Sequence, residues 1–265
     1  MTCVLATAPP LPSLAQRPRQ PRTLTPVKRL GLLGGMSWES SITYERIINE
    51  VVRERVGGVA SADLLIRSFN FADIEALQEA GNWEEAGRLL AGAAANMVAG
   101  GADAIVICTN TMHLLADVVQ AAVAVPVIHI ADATAIAVKS AGVDVVALLG
   151  TRYTMEQDFY LGRLHDTHGL TVLVPSEPGR TLIHNVIYDE LVRGVINPES
   201  KAAYLDVISG LIAQGAQGVI AGCTEIELLI GQPDLTVPLF PTARIHAEAA
   251  AEFAVNESTF AFDLK

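Results

Sequence analysis

Two stretches of this chain match each other without a gap and decide its fold: Gly101-Ala-Asp-Ala-Ile-Val-Ile-Cys-Thr-Asn-Thr-Met-His-Leu-Leu115 and Gly215-Ala-Gln-Gly-Val-Ile-Ala-Gly-Cys-Thr-Glu-Ile-Glu-Leu-Leu229. In this alignment Thr109 falls on Cys223. Each copy predicts a short buried strand that ends in small polar residues, because an apolar run stops abruptly at them. The repeat therefore predicts two halves that bring two such strand ends together.

Strands and helices are predicted to alternate along the chain, and the strands are continuous apolar runs. This pattern is typical of parallel sheets that are covered by helices on both faces. The segment 148–150 also matches 32–34, so each half should begin with an equivalent strand. We expect an α/β fold of two similar three-layer domains, related by a pseudo-two-fold duplication. The active site should lie in the cleft between them, since ligands bind beyond the carboxyl ends of such strands.

The expected domains are 27–142, together with the closing helix at 243–255, and 143–242. Residues 1–26 are rich in Pro, Arg, Ser and Thr and contain no acidic residue, which predicts a disordered tail. An organelle transit peptide is the alternative for this segment. Within the domains, the pattern predicts one helix over 112–122, a strand over 125–130 and one helix over 155–164.

Composition excludes several classes of function. The net charge of −11 disfavours nucleic acid and anionic membranes as partners, because phosphates would be repelled. The cysteines Cys3, Cys108 and Cys223 form no CxxC pair, and the six histidines show no metal-ligand spacing. The segment 31–35 lacks the GxGxxG spacing of a dinucleotide site and predicts a tight strand-to-helix turn. We expect a cytoplasmic protein with a small-molecule ligand and without metal, cofactor or membrane span.

Cys223 is the leading candidate for a reactive group. It ends an apolar strand and precedes a predicted helix, whose N-terminus would stabilise a thiolate. The alternative is inert packing in the sheet. Cys108 lies one residue before the equivalent position, so its side chain should point to the opposite face and into the core. Thr109 then occupies the position that matches Cys223, although a one-residue misregister would exchange the roles of Cys108 and Thr109.

The motifs at these strand ends resemble those of the cofactor-independent aspartate/glutamate racemase family. The resemblance covers nearly all of 27–254. Within the family, the sequence looks most like the bacterial L-aspartate/glutamate-specific or broad-specificity amino-acid racemases. It is carried by three motifs: Gly34-Gly35-Met36-Ser37, Thr109-Asn110-Thr111-Met112-His113 and Gly222-Cys223-Thr224-Glu225.

The resemblance implies a two-base proton exchange at the α-carbon, without pyridoxal phosphate or metal. It assigns the catalytic positions to Thr109 and Cys223, and it implies a homodimer. Residues that match substrate-contacting positions are Met36, Gln78, Asn110, Thr111, Thr224 and Glu225. One departure stands out, because threonine replaces the cysteine that usually precedes Asn-Thr-x-His. A hydroxyl is a weaker acid than a thiol, so the two directions of proton transfer should have unequal rates.

The sequence therefore predicts an isomerase that racemises the acidic amino acids Asp and Glu, and it leaves open whether other amino acids are also substrates. Two alternatives remain open: a single-cysteine decarboxylase or isomerase of the same superfamily, and a non-catalytic protein that binds an acidic amino acid. Arg67 and Arg152 are candidates for holding a distal carboxylate, on grounds of charge alone.

Overall fold

The computed structural model describes residues 27–256 as two parallel four-stranded sheets with helices on their faces. The predicted tail at 1–26 lies outside the described residues. The first sheet has the strand order β2-β1-β3-β4, where the strands are β1 (Leu30–Gly34), β2 (Leu64–Ser68), β3 (Ala104–Ile107) and β4 (Val127–Ile128). The second has the order β6-β5-β7-β8, formed by β5 (Val145–Gly150), β6 (Thr171–Leu173), β7 (Gly218–Gly222) and β8 (Leu239–Pro241). The matching orders confirm the predicted duplicated α/β fold.

Helices connect the strands of both sheets. The first half contains α1 (Trp38–Val56), α2 (Phe71–Glu79), α3 (Trp83–Ala99), α4 (Ala116–Ala121) and α5 (Ile130–Ser140). The second half contains α6 (Arg152–Glu156), α7 (Asp158–Gly162), α8 (Glu177–Asp189), α9 (Pro198–Ala213), α10 (Ile226–Leu229) and α11 (Thr242–Val255). None of the helices within 27–256 has the length and apolar character needed to cross a membrane.

The turn between β1 and α1 follows from local chemistry. Ser37 caps the helix, because its Oγ accepts a hydrogen bond from the backbone N–H of Ser40 at 3.3 Å. Glu39 lies in the first turn, where its charge suits the positive end of the helix dipole. The buried face of α1 includes Tyr44 and Ile48, which pack against the first sheet. This turn therefore fixes the chain at the carboxyl end of β1.

The two faces of β3 are buried against different helices. Val106 and Cys108 pack with residues of α1 and α11, whereas Ile105 and Ile107 pack with residues of α3. Cys108 is only 1% exposed, and burial raises the pKa of its thiol. The predicted core position of Cys108 is confirmed. Because side chains alternate along a strand, Thr109 should lie on the same side as Ile105 and Ile107.

The last helix of each half packs against the sheet of the other half. α5 follows β4 and packs with residues of β5 and β7, while α11 follows β8 and packs with residues of β1 and β3. The sequence patterns did not predict α5. The strand expected over 125–130 is shorter in the structure, where β4 covers only Val127–Ile128. His129 Nδ1 accepts a hydrogen bond from Ala131 N–H at 3.1 Å, so Ile130 begins a helix instead. The predicted domain boundary between 142 and 143 stays a prediction.

Two other predicted helices are interrupted. The segment 112–122 divides into a 3₁₀ helix at Thr111–Leu115 and α4, because Leu115 leaves the helical conformation (φ −105°, ψ 9°). The segment 155–164 is broken at Gln157, which is extended (φ −104°, ψ 145°), and it continues through α7 into a π-helical turn at Arg163–Thr167. Tyr160 and Leu164 of this broken segment are fully buried against α5.

Candidate active site

A small cavity lies where the carboxyl ends of β1, β3 and β7 meet. Its volume is about 30 Å³, and we call it the cleft cavity. Residues from both halves line it: Met36, Ser37, Ser40, Thr109, Asn110, Thr111, Gly222, Cys223, Thr224 and Glu225. The structure thus brings together every predicted site residue except Gln78. Gln78 instead lines a different cavity, of about 290 Å³, between α2 and α8.

Two serines join the halves, and sequence reasoning assigned neither of them a role in the site, although Ser37 belongs to the first motif. Ser37 Oγ donates a hydrogen bond to Glu225 Oε1 at 3.1 Å. Ser40 Oγ donates to the carbonyl oxygen of Cys108 at 2.8 Å, and it contacts Thr224 Oγ1 at 3.2 Å. Because the single hydroxyl proton of Ser40 is used on Cys108, Thr224 is the donor in the second contact. Their position at the start of α1, directly after the Gly-Gly turn, was the available signal.

The segment after β3 is held from both sides. Asn110 Nδ2 donates to Thr242 Oγ1 at 3.0 Å, and Thr242 Oγ1 donates to the carbonyl oxygen of Ala221 at 2.8 Å. Thr111 Oγ1 lies 3.2 Å from Thr151 Oγ1. Asn110 Oδ1 is buried and receives no hydrogen bond from the part of the chain that the structure describes. This unpartnered oxygen belongs to a residue that lines the cleft cavity, and it could accept a hydrogen bond from a ligand there.

His113 fixes the backbone at Thr109. Its Nε2 accepts a hydrogen bond from the Ile130 N–H at 3.2 Å, so the other ring nitrogen carries the proton. That nitrogen, Nδ1, donates to the carbonyl oxygen of Thr109 at 2.8 Å. Burial holds the pKa of His113 well below its ordinary value, and the nearby His129 and His246 add to this effect. The ring is therefore neutral and keeps this orientation.

The Cys223 thiol donates a hydrogen bond to Glu225 Oε2 at 2.9 Å. Burial raises the pKa of Cys223 well above its ordinary value, and the Glu225 charge and hydrogen bond raise it further. The backbone N–H groups of Thr224 and Glu225 act in the opposite direction but are outweighed. The stabilisation of a thiolate that was expected from the helix N-terminus is therefore outweighed in this form of the site by burial and by Glu225, and α10 has only four residues.

Neither arginine considered from the sequence lines the cleft cavity. The Arg67 guanidinium lies over the Phe69 ring, 4.8 Å from its centroid, and Arg152 donates to Thr181 Oγ1 at 3.0 Å. Within 27–256 there is no group of three or more His, Cys, Asp or Glu that could hold a metal ion.

A family model described as Asp/Glu/Hydantoin racemase matches residues 33–250. The chain belongs to this family. A candidate Asp/Glu racemase from Yersinia pestis has 51% identity and a TM-score of 0.83, with 86% of this chain and 100% of that chain covered. An aspartate racemase homologue from Pyrococcus horikoshii OT3 has 35% identity and a TM-score of 0.76, with the same coverage.

A more distant structure shares the fold. The glutamate racemase from Francisella tularensis subsp. tularensis SCHU S4, in complex with D-glutamate, has 16% identity and a TM-score of 0.59, with 89% of this chain and 85% of that chain covered. Family membership and these structures identify the chain as an amino-acid racemase, an isomerase. The resemblance read from the sequence motifs is thereby confirmed.

In this racemase the Glu225 carboxylate should control the reactivity of the Cys223 thiol. Replacing Glu225→Gln removes the negative charge that raises the pKa of Cys223, so the thiolate fraction at a fixed pH should increase. We expect alkylation by iodoacetamide at pH 8 to become about tenfold faster, because the thiolate is the reacting form of the cysteine. Mass spectrometry of the alkylated peptide measures this rate. Glu227→Gln is the matched control, and equal acceleration in both variants would contradict the role of the Glu225 contact.

Proposed function

We propose that this chain racemises amino acids without a cofactor, by removing and returning the proton at the α-carbon. The proposed substrates are the acidic amino acids Asp and Glu and a wider range, and the proposed acid–base residues are Cys223 and Thr109. One observation carries the proposal: these two residues are equivalent in the internal repeat, and both line the cleft cavity.

Inversion of a carbon centre needs a base on one side and an acid on the other. In one direction the Cys223 thiolate takes the α-proton and the Thr109 hydroxyl supplies a proton to the opposite face. In the other direction Thr109 must act as the base. Because a hydroxyl gives up its proton much less readily than a thiol, we expect the two directions to differ in rate.

The thiol must lose its proton before it can act as a base. Glu225 is placed for this step, since the Cys223 S–H already points to its Oε2 at 2.9 Å. Removal of the α-proton leaves negative charge on the substrate carboxylate. Thr111, and Ser37 once its bond to Glu225 is broken, carry hydroxyl groups that would donate to this charge, together with backbone N–H groups at the strand ends.

The lone acceptor of Asn110 suits the ammonium group of an amino acid. Its Oδ1 is buried without a donor, and a substrate ammonium would satisfy it. The cleft cavity of about 30 Å³ has room for about two water molecules, which is less than an amino acid needs. Binding therefore requires the site to open, and we propose that the bond between Ser37 and Glu225 breaks as the substrate enters.

Proton exchange in D₂O tests the proposal. The full chain is incubated with L-Asp, L-Glu and a panel of other L-amino acids, and α-deuterium incorporation and D-isomer formation are followed by NMR and chiral chromatography. We expect both products with at least one amino acid. Carbon dioxide release from a substituted malonate without racemisation would instead favour a decarboxylase, and ligand binding without any exchange would favour a binding protein.

A further inference from the structure

Asn110 lines the cleft cavity, and one end of its side-chain amide is already bonded. Its Nδ2 donates to Thr242 Oγ1 at 3.0 Å, and Thr242 Oγ1 donates to the carbonyl oxygen of Ala221 at 2.8 Å. Asn110 is 4% exposed and Thr242 is fully buried, so both bonds are shielded from water. This series of hydrogen bonds starts in the first half of the molecule and ends on β7 of the second half.

The direction of these bonds fixes the orientation of the amide. A carbonyl oxygen can only accept, so the single hydroxyl proton of Thr242 goes to Ala221. Thr242 Oγ1 can then only accept a further hydrogen bond, and the amide nitrogen of Asn110, not its oxygen, must face it. The other end of the amide is Oδ1, which is buried without a donor from residues 27–256. Thr242 therefore decides that the Asn110 side chain offers a ligand an acceptor and not a donor.

A matching series of hydrogen bonds starts at the equivalent residue of the other half. Thr224 aligns with Asn110 in the internal repeat, and its Oγ1 donates to Ser40 Oγ at 3.2 Å. Ser40 Oγ in turn donates to the carbonyl oxygen of Cys108 at 2.8 Å. In both series, a hydroxyl in the first turn of a helix uses its proton at the carboxyl end of a strand. The side chains of Asn110 and Thr224, which directly follow the two proposed acid–base residues, are thus both left with acceptor sites only.

We propose that Thr242 is a positioning residue that makes the cleft cavity selective for an ammonium group. This inference rests on the proposed racemisation, in which Asn110 Oδ1 accepts a hydrogen bond from the bound amino acid. An ammonium group only donates, so it matches an oxygen that only accepts. A ligand without the amino group leaves this buried oxygen without a donor, which is costly. Thr242 itself does not line the cleft cavity, so it acts through Asn110.

Comparison of amino acids with the acids that lack only the amino group tests this role. Dissociation constants are measured by isothermal titration calorimetry with the full chain for L-Asp and succinate, for L-Glu and glutarate, and for the corresponding pair of any other amino acid that exchanges its α-proton. The ratio within a pair is the ammonium preference, and we expect the unaltered chain to prefer the amino acid. In Thr242→Val neither end of the Asn110 amide is held, so the preference should fall about tenfold, as is typical for one hydrogen bond to a charged group. A merely structural defect would weaken both ligands of a pair equally.

Three further variants control for the loss of a buried hydroxyl. Thr242→Ser keeps both the donor and the acceptor, so its ammonium preference should stay within about twofold of the unaltered chain. Thr134→Val removes a fully buried hydroxyl that donates to the Ile130 carbonyl oxygen at 2.7 Å outside the cleft cavity, and its preference should also stay within about twofold. Thr242→Cys, whose thiol is a weaker donor and acceptor, should lose part of the preference and serves if Thr242→Val does not fold.

The inference and the proposed racemisation fail through different results. An unchanged ammonium preference in folded Thr242→Val, an equal fall in Thr134→Val, or no preference in the unaltered chain would overturn the inference alone. Absence of α-proton exchange in D₂O with every amino acid would overturn the proposed racemisation. A preference that still falls in Thr242→Val and returns in Thr242→Ser would then support the role of Thr242 in ammonium binding without catalysis.

Discussion

Replacing Cys223→Ala is expected to slow α-proton exchange about a thousandfold or more for every substrate. The reason is that alanine offers no group that can take up or supply a proton, and general acid–base groups contribute factors of about 10² to 10⁴. Deuterium incorporation in D₂O measures the effect in both directions, starting from L- and from D-isomers. Because Cys223 is partly exposed at a strand end, the fold should be retained, and circular dichroism checks this.

The other described cysteine supplies the matched control. Cys108 is 1% exposed and packs in the core between the first sheet and α1, so Cys108→Ala should cost about 1 kcal/mol of unfolding free energy. The rate of α-proton exchange by the Cys108→Ala variant should change little. Loss of exchange in Cys108→Ala, with full activity in Thr109→Ala, would show that the roles of Cys108 and Thr109 are exchanged.

Thr109→Ala should separate exchange from inversion. With Cys223 intact, one isomer can still lose and regain its α-proton on the same face. The opposite face has lost its proton donor, so formation of the other isomer should fall far more than deuterium incorporation. Equal loss of deuterium incorporation and of isomer formation would contradict separate roles for Cys223 and Thr109.

The internal repeat explains why the sequence alone predicted so much of this molecule. A one-residue shift along a strand reverses the direction of a side chain, so the gapless match of Thr109 with Cys223 placed both on equivalent faces. Parallel strands then bring their carboxyl ends to one edge, and the described cleft cavity contains both residues.

Features that depend on contacts between the halves could not be predicted from the internal repeat. Ser40 looks like an ordinary residue in the first turn of a helix, yet its hydroxyl bridges Cys108 and Thr224 across the cleft. The effects that outweigh the backbone N–H groups at Cys223 were not predicted, because the local pattern shows a following helix but neither the burial of the sulfur nor the orientation of the Glu225 carboxylate. Likewise, α5 is stabilised by the second sheet rather than by its own half.

Replacing Gly35→Ala is expected to reduce the free energy of unfolding by about 3 kcal/mol or more. Gly35 has a φ of +81°, a conformation that costs an L-residue about 1–2 kcal/mol. A methyl group there would also overlap the backbone N and O atoms of Phe69. Phe69 cannot easily retreat, since its N–H donates to the carbonyl oxygen of Gly34 at 3.0 Å and joins the ends of β1 and β2. Urea unfolding followed by circular dichroism measures the loss.

Gly57→Ala separates the conformational cost from the overlap. Gly57 has nearly the same φ, +82°, but an added methyl group would meet no atom within 4 Å. This variant should therefore lose only the conformational cost, about 1–3 kcal/mol, because φ +82° with ψ 174° is a region that L-residues rarely adopt, and it should keep its activity. Gly35 directly precedes Met36 and Ser37 of the cleft cavity, so relief of the overlap should move both residues and lower exchange activity as well. Equal destabilisation of the two variants would mean that the contact with Phe69 yields at no cost, and that the β1 turn does not fix the cleft.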